Sequence, residues 1–261
     1  MSFQIDSDWW KYVFDELYLL TDHRTVCNSK LTGQEVDLIE KFLPIEKSSR
    51  ILDLCGGHGR HCLELNRRGY LHLICLDYSL FLVQHGKQNA EARLKPVQFI
   101  RADARQTGLK DAAVDAVMMM TNSFGYFTED KDNRQIMKEV YRVLRPGGYL
   151  MLDLLNPDYV TDNFKNISWH EVEPDMVVCR QRWLDDSIIK ARELILSRDK
   201  GLIRENNYCA FLYTAGDIQA LLDSVGFYRN DIKCTHSFPI NSADQGFMEN
   251  RMIAVAQKPA V

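Results

Sequence analysis

Apolar positions near the start of the chain recur at helical spacing. Trp9, Val13, Leu17 and Leu20, with Trp10 and Phe14 alongside, predict a helix over residues 8–20. A second helix is expected after Thr32, an N-cap candidate with Glu35 three residues on. From residue 50 the period changes, and short apolar runs alternate with amphipathic stretches. Strands are predicted at 50–54, 71–77, 97–103, 113–120 and 149–155, and helices at 59–68, 79–92 and 129–144. Gly69 stops the first of these helices and "RPGG" the third. Short apolar strands between helices mean βαβ units, hence an α/β fold with a parallel sheet covered on both faces.

The pattern changes at Asn156. Residues 169–214 have no helical period; alternating segments break at "LDDS" and "SRDKG", which predicts about three antiparallel strands. A helix follows at 214–227, then strands at 228–236 and 251–258, expected as antiparallel partners at the sheet edge. The middle segment reads as a small antiparallel β insertion leaving the carboxyl edge of the sheet, where open α/β sheets bind ligands. The expected organisation is a helical lid at 1–46, a ligand-binding core at 47–156 and 213–261, and an insertion at 157–212 covering the site.

Composition narrows the class. The chain has 261 residues, 46% of them hydrophobic and 26% charged, with a formal net charge of −4. That charge gives no electrostatic footprint for nucleic acid, and no apolar run is long enough for a membrane span. The N-terminal stretch has acids and aromatics where a signal peptide has a basic start and an apolar core. Seven scattered cysteines suggest reduced thiols and a cytoplasmic protein.

The chemistry concentrates in "ILDLCGGHGRHCLEL", residues 51–65. A glycine loop between strand and helix lets a ligand approach the backbone; Gly57 and Gly59 supply that access and Gly56 adds freedom. Asp77, ending the second strand 20 residues after Gly57, is placed to accept hydrogen bonds from ribose hydroxyls. Asp103, in "RAD", could accept from an adenine amine or cap a helix. A dinucleotide fingerprint would carry a third glycine where Cys62 stands, and Asp53 would repel a pyrophosphate while suiting a cationic amino group. Cys55, His58, His61 and Cys62 offer metal-ligand types, but they straddle the turn and different helix faces, so no metal is expected.

Taken in order, these segments resemble the class I S-adenosylmethionine-dependent methyltransferases, in particular the bacterial small-molecule subgroup. "ILDLCGGHG" is similar to the family's glycine motif, "LICLDYS" to its ribose motif, "IRADA" to its adenine motif, and "VDAVMMMTNSFGYF" and "VLRPGGYLMLDL" to its fourth and fifth strands. The resemblance implies a Rossmann-like three-layer sandwich whose mostly parallel seven-stranded sheet has an antiparallel last strand. It implies S-adenosylmethionine as cofactor and S-adenosylhomocysteine as product. Asp53, Cys55, Gly56, Gly57 and Gly59 would line the methionine part, and Asp77 would hold the ribose. Tyr78, Ala102, Asp103 and Ala104 would frame the base. Thr121 would offer its backbone to the amino group, and Tyr18 would be a lid contact. Cys55 departs from the family, standing where the first motif glycine belongs.

On the acceptor side, Phe124, Tyr126 and Asn156 are expected near substrate, with Phe127 as a further wall and Tyr126 and His170 as catalytic candidates; His236 is another histidine that could serve as a base. The expected reaction is in-line methyl transfer to a nitrogen or oxygen of a small molecule in a covered pocket. A nicotinamide-dinucleotide oxidoreductase and a non-catalytic S-adenosylmethionine-binding protein are the alternatives. An antiparallel last strand lying beside the fifth would decide against the oxidoreductase.

Overall fold

The computed structural model describes residues 4–91, 97–172, 174–237 and 246–260. The end of the second core helix at residue 92 and the side chain of His236 lie outside the described parts. The N-terminal segment is more broken than its periodicity suggests. A 3-10 turn at Trp9–Lys11 precedes α1 (Glu16–Thr21) and α2 (His23–Val26). Asp15 interrupts the expected helix: its carboxylate accepts from the amides of Leu17 (3.0 Å) and Tyr18 (3.2 Å), starting α1 afresh. Helix α3 (Ser29–Phe42) begins earlier than expected, capped by Asn28, which accepts from Leu31 N at 3.0 Å. Thr32 is therefore internal, and Glu35, expected at a capping box, is fully buried.

The alternating region follows its pattern closely. It comprises β1 (Arg50–Leu54), α4 (Arg60–Arg67), β2 (His72–Asp77), α5 (Leu80–Glu91), β3 (Gln98–Arg101), β4 (Val114–Met119), α6 (Asp130–Val143) and β5 (Leu144–Leu155). "RPGG" falls inside β5, because the chain passes from α6 straight into extended backbone; Gly147 takes φ +78° and donates to Lys258 O at 3.1 Å. After α7 (Pro157–Asp162) come four antiparallel strands, one more than expected. They are β6 (Ile167–Val172), β7 (Met176–Asp185), β8 (Ile188–Ser197) and β9 (Gly201–Phe211), forming their own sheet in that order. The chain ends with α8 (Ala215–Val225), whose Thr214–Asp217 capping box is formed, then β10 (Tyr228–Ser237) and β11 (Asn250–Gln257).

The main sheet has the order β10-β11-β5-β4-β1-β2-β3. All pairs from β5 to β3 are parallel, and β11 runs antiparallel between β5 and β10. Two apolar layers cover its faces. Leu52, Val117 and Leu152 pack with Val140 of α6 and Leu222 of α8 on one side, and Ile51, Met118, Met151 and Ile253 with Ile39 of α3 and Leu65 of α4 on the other. Strand alternation then puts Asp53 on the same face as Ile51, Asp153 with Met151, and Arg251 with Ile253. Because β11 is antiparallel, its first residues lie at the carboxyl edge of β5, with Arg251 opposite Leu155. Charged groups are thus brought to the helix-covered face at the ligand-binding edge.

Candidate functional site

At that edge β1 turns into α4 through the glycine loop. Gly56 donates to Leu76 O at 3.1 Å, and Gly57 donates to Asp77 Oδ2 at 2.8 Å. A Cβ on Gly56 would lie 2.7 Å from Asp53 Cγ, and one on Gly59 (φ +76°) would lie 2.6 Å from the Phe99 ring. Both positions therefore require glycine for close packing, Gly59 for its backbone as well. Cys55 takes φ +59°, a left-handed conformation costly for a residue with a side chain. Cys55, at the position where the glycine motif would have its first glycine, thus keeps a backbone conformation that favours glycine.

The loop opens onto a cavity lined by Tyr18, Asp53, Cys55, Gly56, Gly57, Asp77, Tyr78, Ala102, Asp103, Ala104 and Thr121. Of the cofactor residues named from sequence, Gly59 alone is outside the lining, one residue behind it against Phe99. Trp10, Phe14 and Arg60 also line it and were not anticipated. Asp77 is fixed by two amides, Gly57 N on one oxygen and Ser79 N on the other, each at 2.8 Å; burial pushes its carboxyl up, and those amides oppose the shift. Asp103 is engaged by Arg105, whose Nη2 lies 2.7 Å from Oδ2. Trp10 sits edge-on to Tyr78 (4.6 Å between centroids) and Phe127 (5.1 Å), roofing this end.

Asp53 is 0% exposed, and among the described residues neither carboxylate oxygen has a hydrogen-bond partner, His61 Nδ1 coming no nearer than 3.8 Å. Burial pushes its carboxyl up to about 7, opposed by Arg60 and reinforced by Asp77. An orphaned buried carboxylate on a cavity wall is costly, and it suits a cationic ligand group. Next to it lies a closed ring of charges. Arg60 pairs with Glu35 and donates through Nη2 to Thr121 Oγ1 (2.8 Å). Thr121 N donates to Asp153 Oδ2 (2.9 Å), and Arg251 joins Asp153 (2.6 Å) to Glu35 (2.8 Å). Burial alone would raise the Glu35 carboxyl, but Arg60, the His61 hydrogen bond and Arg251 hold it well below the usual carboxylate range. His61 is pushed down to about 4 by burial, with Arg60 adding to the shift, so it is neutral at pH 7. The ring holds Thr121 at φ +59°, and Asn122 follows at +56°. Two consecutive left-handed non-glycine residues just past β4 put backbone strain beside the cavity.

A second, larger chamber adjoins the first, of about 510 Å³ against about 140 Å³. The two share Phe14, Tyr18, Val26, Thr121 and Tyr126. Its roof is the four-stranded sheet, contributing Ser168, His170, Arg180, Arg182, Glu193 and Tyr208. The N-terminal segment is tied to this sheet by three polar contacts among the described residues. Arg180 Nη2 lies 2.8 Å from Asp22, Arg204 Nη1 lies 2.6 Å from Asp15, and His170 Nε2 lies 2.9 Å from Thr21 O. The His170 contact requires a donating Nε2–H, and burial lowers the ring's pKa. Tyr126 stacks on Phe14 at 5.8 Å and faces both cavities. Phe124 does not: it is fully buried in the core and stacked on Tyr213. Asn156 is buried too, capping α7 through Asp158 N (3.2 Å) and bonded to Asn250 Oδ1 (2.8 Å), outside both linings. Phe127 lines the first cavity. Among the described residues no group of three or more His, Cys, Asp or Glu side chains is arranged to hold a metal ion.

Residues 51–148 match the methyltransferase domain family. The glycine/sarcosine N-methyltransferase of Aphanothece halophytica is 28% identical over 163 residues, 62% of this chain and 61% of that one. The CcbJ methyltransferase of Streptomyces caelestis superposes with a TM-score of 0.74 at 15% identity, covering 97% of this chain and all of the other. The S-adenosylmethionine-bound amino pentose methyltransferase CalS10 of Micromonospora echinaspora gives 0.64 at 18% identity, covering 93% and 98%. Residues 51–148 thus carry a methyltransferase domain, and the fold is similar to that of solved S-adenosylmethionine-dependent methyltransferases. The chain spans about half to three-fifths of the length of the curated relatives it matches. The antiparallel β11 beside β5 is the feature that separates this family from the oxidoreductase alternative. S-adenosylmethionine, the cofactor of these proteins, fits the residues present: a buried acid for its ammonium, a two-oxygen acceptor in Asp77 for its ribose, and Gly56 and Gly57 opening the backbone between them.

The glycine loop, Asp77 and Asp103 were legible because the motif residues follow one another along the chain. The ring was not, since Glu35, Arg60, Asp153 and Arg251 come from four distant segments. A signal did exist: Asp153 stands between the buried Met151 and Leu155 of an apolar strand, and Arg251 heads an apolar strand two residues before the buried Ile253.

Proposed function

We propose that the chain transfers a methyl group from S-adenosylmethionine to a nitrogen atom of a small polar molecule held in the larger chamber. The observation that carries this reading is the shared wall of the two cavities: Phe14, Tyr18, Val26, Thr121 and Tyr126 border both, so donor and acceptor can meet there. When bound, S-adenosylmethionine supplies an electrophilic methyl group on a sulfonium. Phe14, Tyr18 and Tyr126 present aromatic faces at the junction, which favour positive charge and exclude water. Alignment by these walls is the main catalytic contribution expected for an in-line displacement, in which the carbon–sulfur electron pair stays on sulfur as the new bond forms.

Nitrogen is favoured over oxygen by the state of the chamber's acids. Asp22 and Glu193 are both engaged by Arg180, and Glu249 accepts from Tyr159 Oη at 2.8 Å. Burial lifts the Tyr208 hydroxyl to about 12, and burial raises Tyr126 further. A hydroxyl acceptor needs a base at the moment of transfer, whereas a neutral amine attacks through its own lone pair and sheds a proton afterwards. The similarity to an N-methyltransferase of glycine and sarcosine and to an amino pentose methyltransferase supports the same class. The lid and the strand insertion at 157–212 would cover the acceptor, which favours a small molecule over nucleic acid. Methyl-tritiated S-adenosylmethionine, offered with panels of small amines, small alcohols, RNA and protein, should label the amines. Label confined to RNA or protein would overturn the proposal; no transfer to any acceptor by protein that binds the cofactor would favour a sensor.

A further inference from the structure

The amino-acid head of the cofactor carries an ammonium and a carboxylate, and the cavity has two buried groups of matching sign. Asp53 is the orphaned acid described above. The positive counterpart is Arg60. Among the side chains lining the cavity it is the one lysine or arginine, and the lining histidines His58 and His61 are both pushed down to about 4, chiefly by burial, so they are neutral at pH 7. Arg60 is the first residue of α4, and its side chain is 10% exposed.

We infer that Arg60 is a cofactor-binding residue that receives the carboxylate of the methionine head, across the cavity from Asp53, and that Glu35, Asp153 and Arg251 are positioning residues for its guanidinium. This rests on the assignment of S-adenosylmethionine to the cavity, not on the identity of the acceptor. The guanidinium has donors left for the task. Nη1 is used by Thr32 Oγ1 (2.9 Å) and Glu35, and one Nη2–H by Thr121 Oγ1 (2.8 Å). Among the described residues Nε–H and one Nη2–H have no partner, and Nε and Nη2 share the edge of the guanidinium that matches a carboxylate in bidentate geometry. Arg60 also starts a helix, whose unpaired amides add to the attraction for an anion. The ring fixes the plane of the guanidinium by three partners on its far side and balances its charge through Glu35. Arg251 in turn keeps Glu35 from claiming Arg60 alone, because one carboxylate serves both arginines. Thr121, bonded to Arg60 and facing both cavities, links the position of the carboxylate to the junction with the acceptor.

A purely structural Arg60 would serve only to neutralise Glu35. The two roles separate when S-adenosylmethionine is compared with its decarboxylated form, which keeps the ribose, sulfonium and ammonium. By calorimetry, wild-type protein should bind S-adenosylmethionine about tenfold or more tightly than the decarboxylated form. In Arg60→Gln the preference should fall to about threefold or less, with affinity for the decarboxylated form within about threefold of wild type. Arg60→Lys should recover part of the preference. Equal binding of the two ligands by wild-type protein would overturn the inference, as would a preference that survives in Arg60→Gln. If Arg60→Gln lacks a cooperative melting transition, Arg60→Lys decides: a reduced preference supports the role and an unchanged one overturns it. The acceptor assignment is read by methyl transfer and can fail while these ratios hold.

Discussion

The two adjoining cavities are built differently. The smaller cavity is assembled at the carboxyl ends of β1, β2, β3 and β4 and the turns that follow them, closed by Trp10, Phe14, Tyr18 and Val26 from the N-terminal segment. The larger chamber is assembled from side chains on the N-terminal segment, the four-stranded sheet and the start of β11, with the main sheet supplying a floor at Thr121, Asn122 and Leu155. The smaller cavity is bound to the geometry of the main sheet, whereas a chamber of side chains can be recut without moving that sheet. On the proposed function, one region would hold the donor and the other could be adapted to the acceptor.

That contrast can be broken by substitution. The largest effect is expected for Asp77→Ala, which removes the acceptor for Gly57 N and Ser79 N and for the ribose. Affinity for S-adenosylhomocysteine should fall about 100-fold, from the loss of charge-assisted hydrogen bonds of about 1.5–3 kcal/mol each; unchanged affinity by calorimetry would remove the ribose assignment. On the other side, Ala191 lies fully buried under the chamber, in register with Arg182 and Tyr208. Ala191→Leu should cut methyl transfer roughly tenfold or more, at a stability cost of about 1–3 kcal/mol, and leave S-adenosylhomocysteine affinity within about twofold. Equal loss of binding and transfer would mean the two regions are not separable.

A pH series sharpens the cofactor side. Asp53 faces Asp77, Arg60, His61, Glu35 and Cys62, and it is raised to about 7. The cationic head binds the ionised form, so binding below that pH releases a proton. Affinity should be about tenfold weaker at pH 6 than at pH 8, and flat over that range in Asp53→Asn. The stability sign is the reverse: a carboxyl with a raised folded-state pKa favours the folded chain when protonated. This contribution therefore falls as pH rises from about 4 to about 7, which denaturant titration of the ligand-free protein should show. The smallest effect is expected at Cys55→Gly. Relief of a left-handed non-glycine costing about 1–2 kcal/mol is partly offset by about 0.5–1 kcal/mol of glycine's extra unfolded-state freedom. Stability should rise by less than about 1 kcal/mol in urea, and a loss would show that Cys55 is held by packing the loop needs.

What the sequence made legible follows the same division. The sheet, its antiparallel last strand and the loop with Asp53, Gly57 and Asp77 could be read because local periodicity and motif spacing encode them. Phe124 and Asn156 were placed at the substrate because they flank the right strands, yet Phe124 faces the core and Asn156 caps α7. Strand position alone does not say which way a side chain turns after the strand ends. The lid helix expected over residues 8–20 is divided because Asp15 offers the backbone better hydrogen bonds than helix continuation. Arg60 sits beside the glycines and still escaped notice, since its partners arrive from Glu35 and Thr121, 25 and 61 residues away.

The direction of β11 has a consequence for how the chain matures. Glu35, Asp53, Arg60 and Asp153 are all synthesised before Arg251, so a growing chain that has already laid down β1 to β5 has three acids and one arginine to bury at this edge. Closing the helices over them then would trap uncompensated negative charge. Only when the final strand emerges and inserts beside β5 does the second arginine arrive. The pocket should thus be the last part of the core to form, and a chain interrupted before residue 251 should hold its sheet loosely and fail to retain the cofactor.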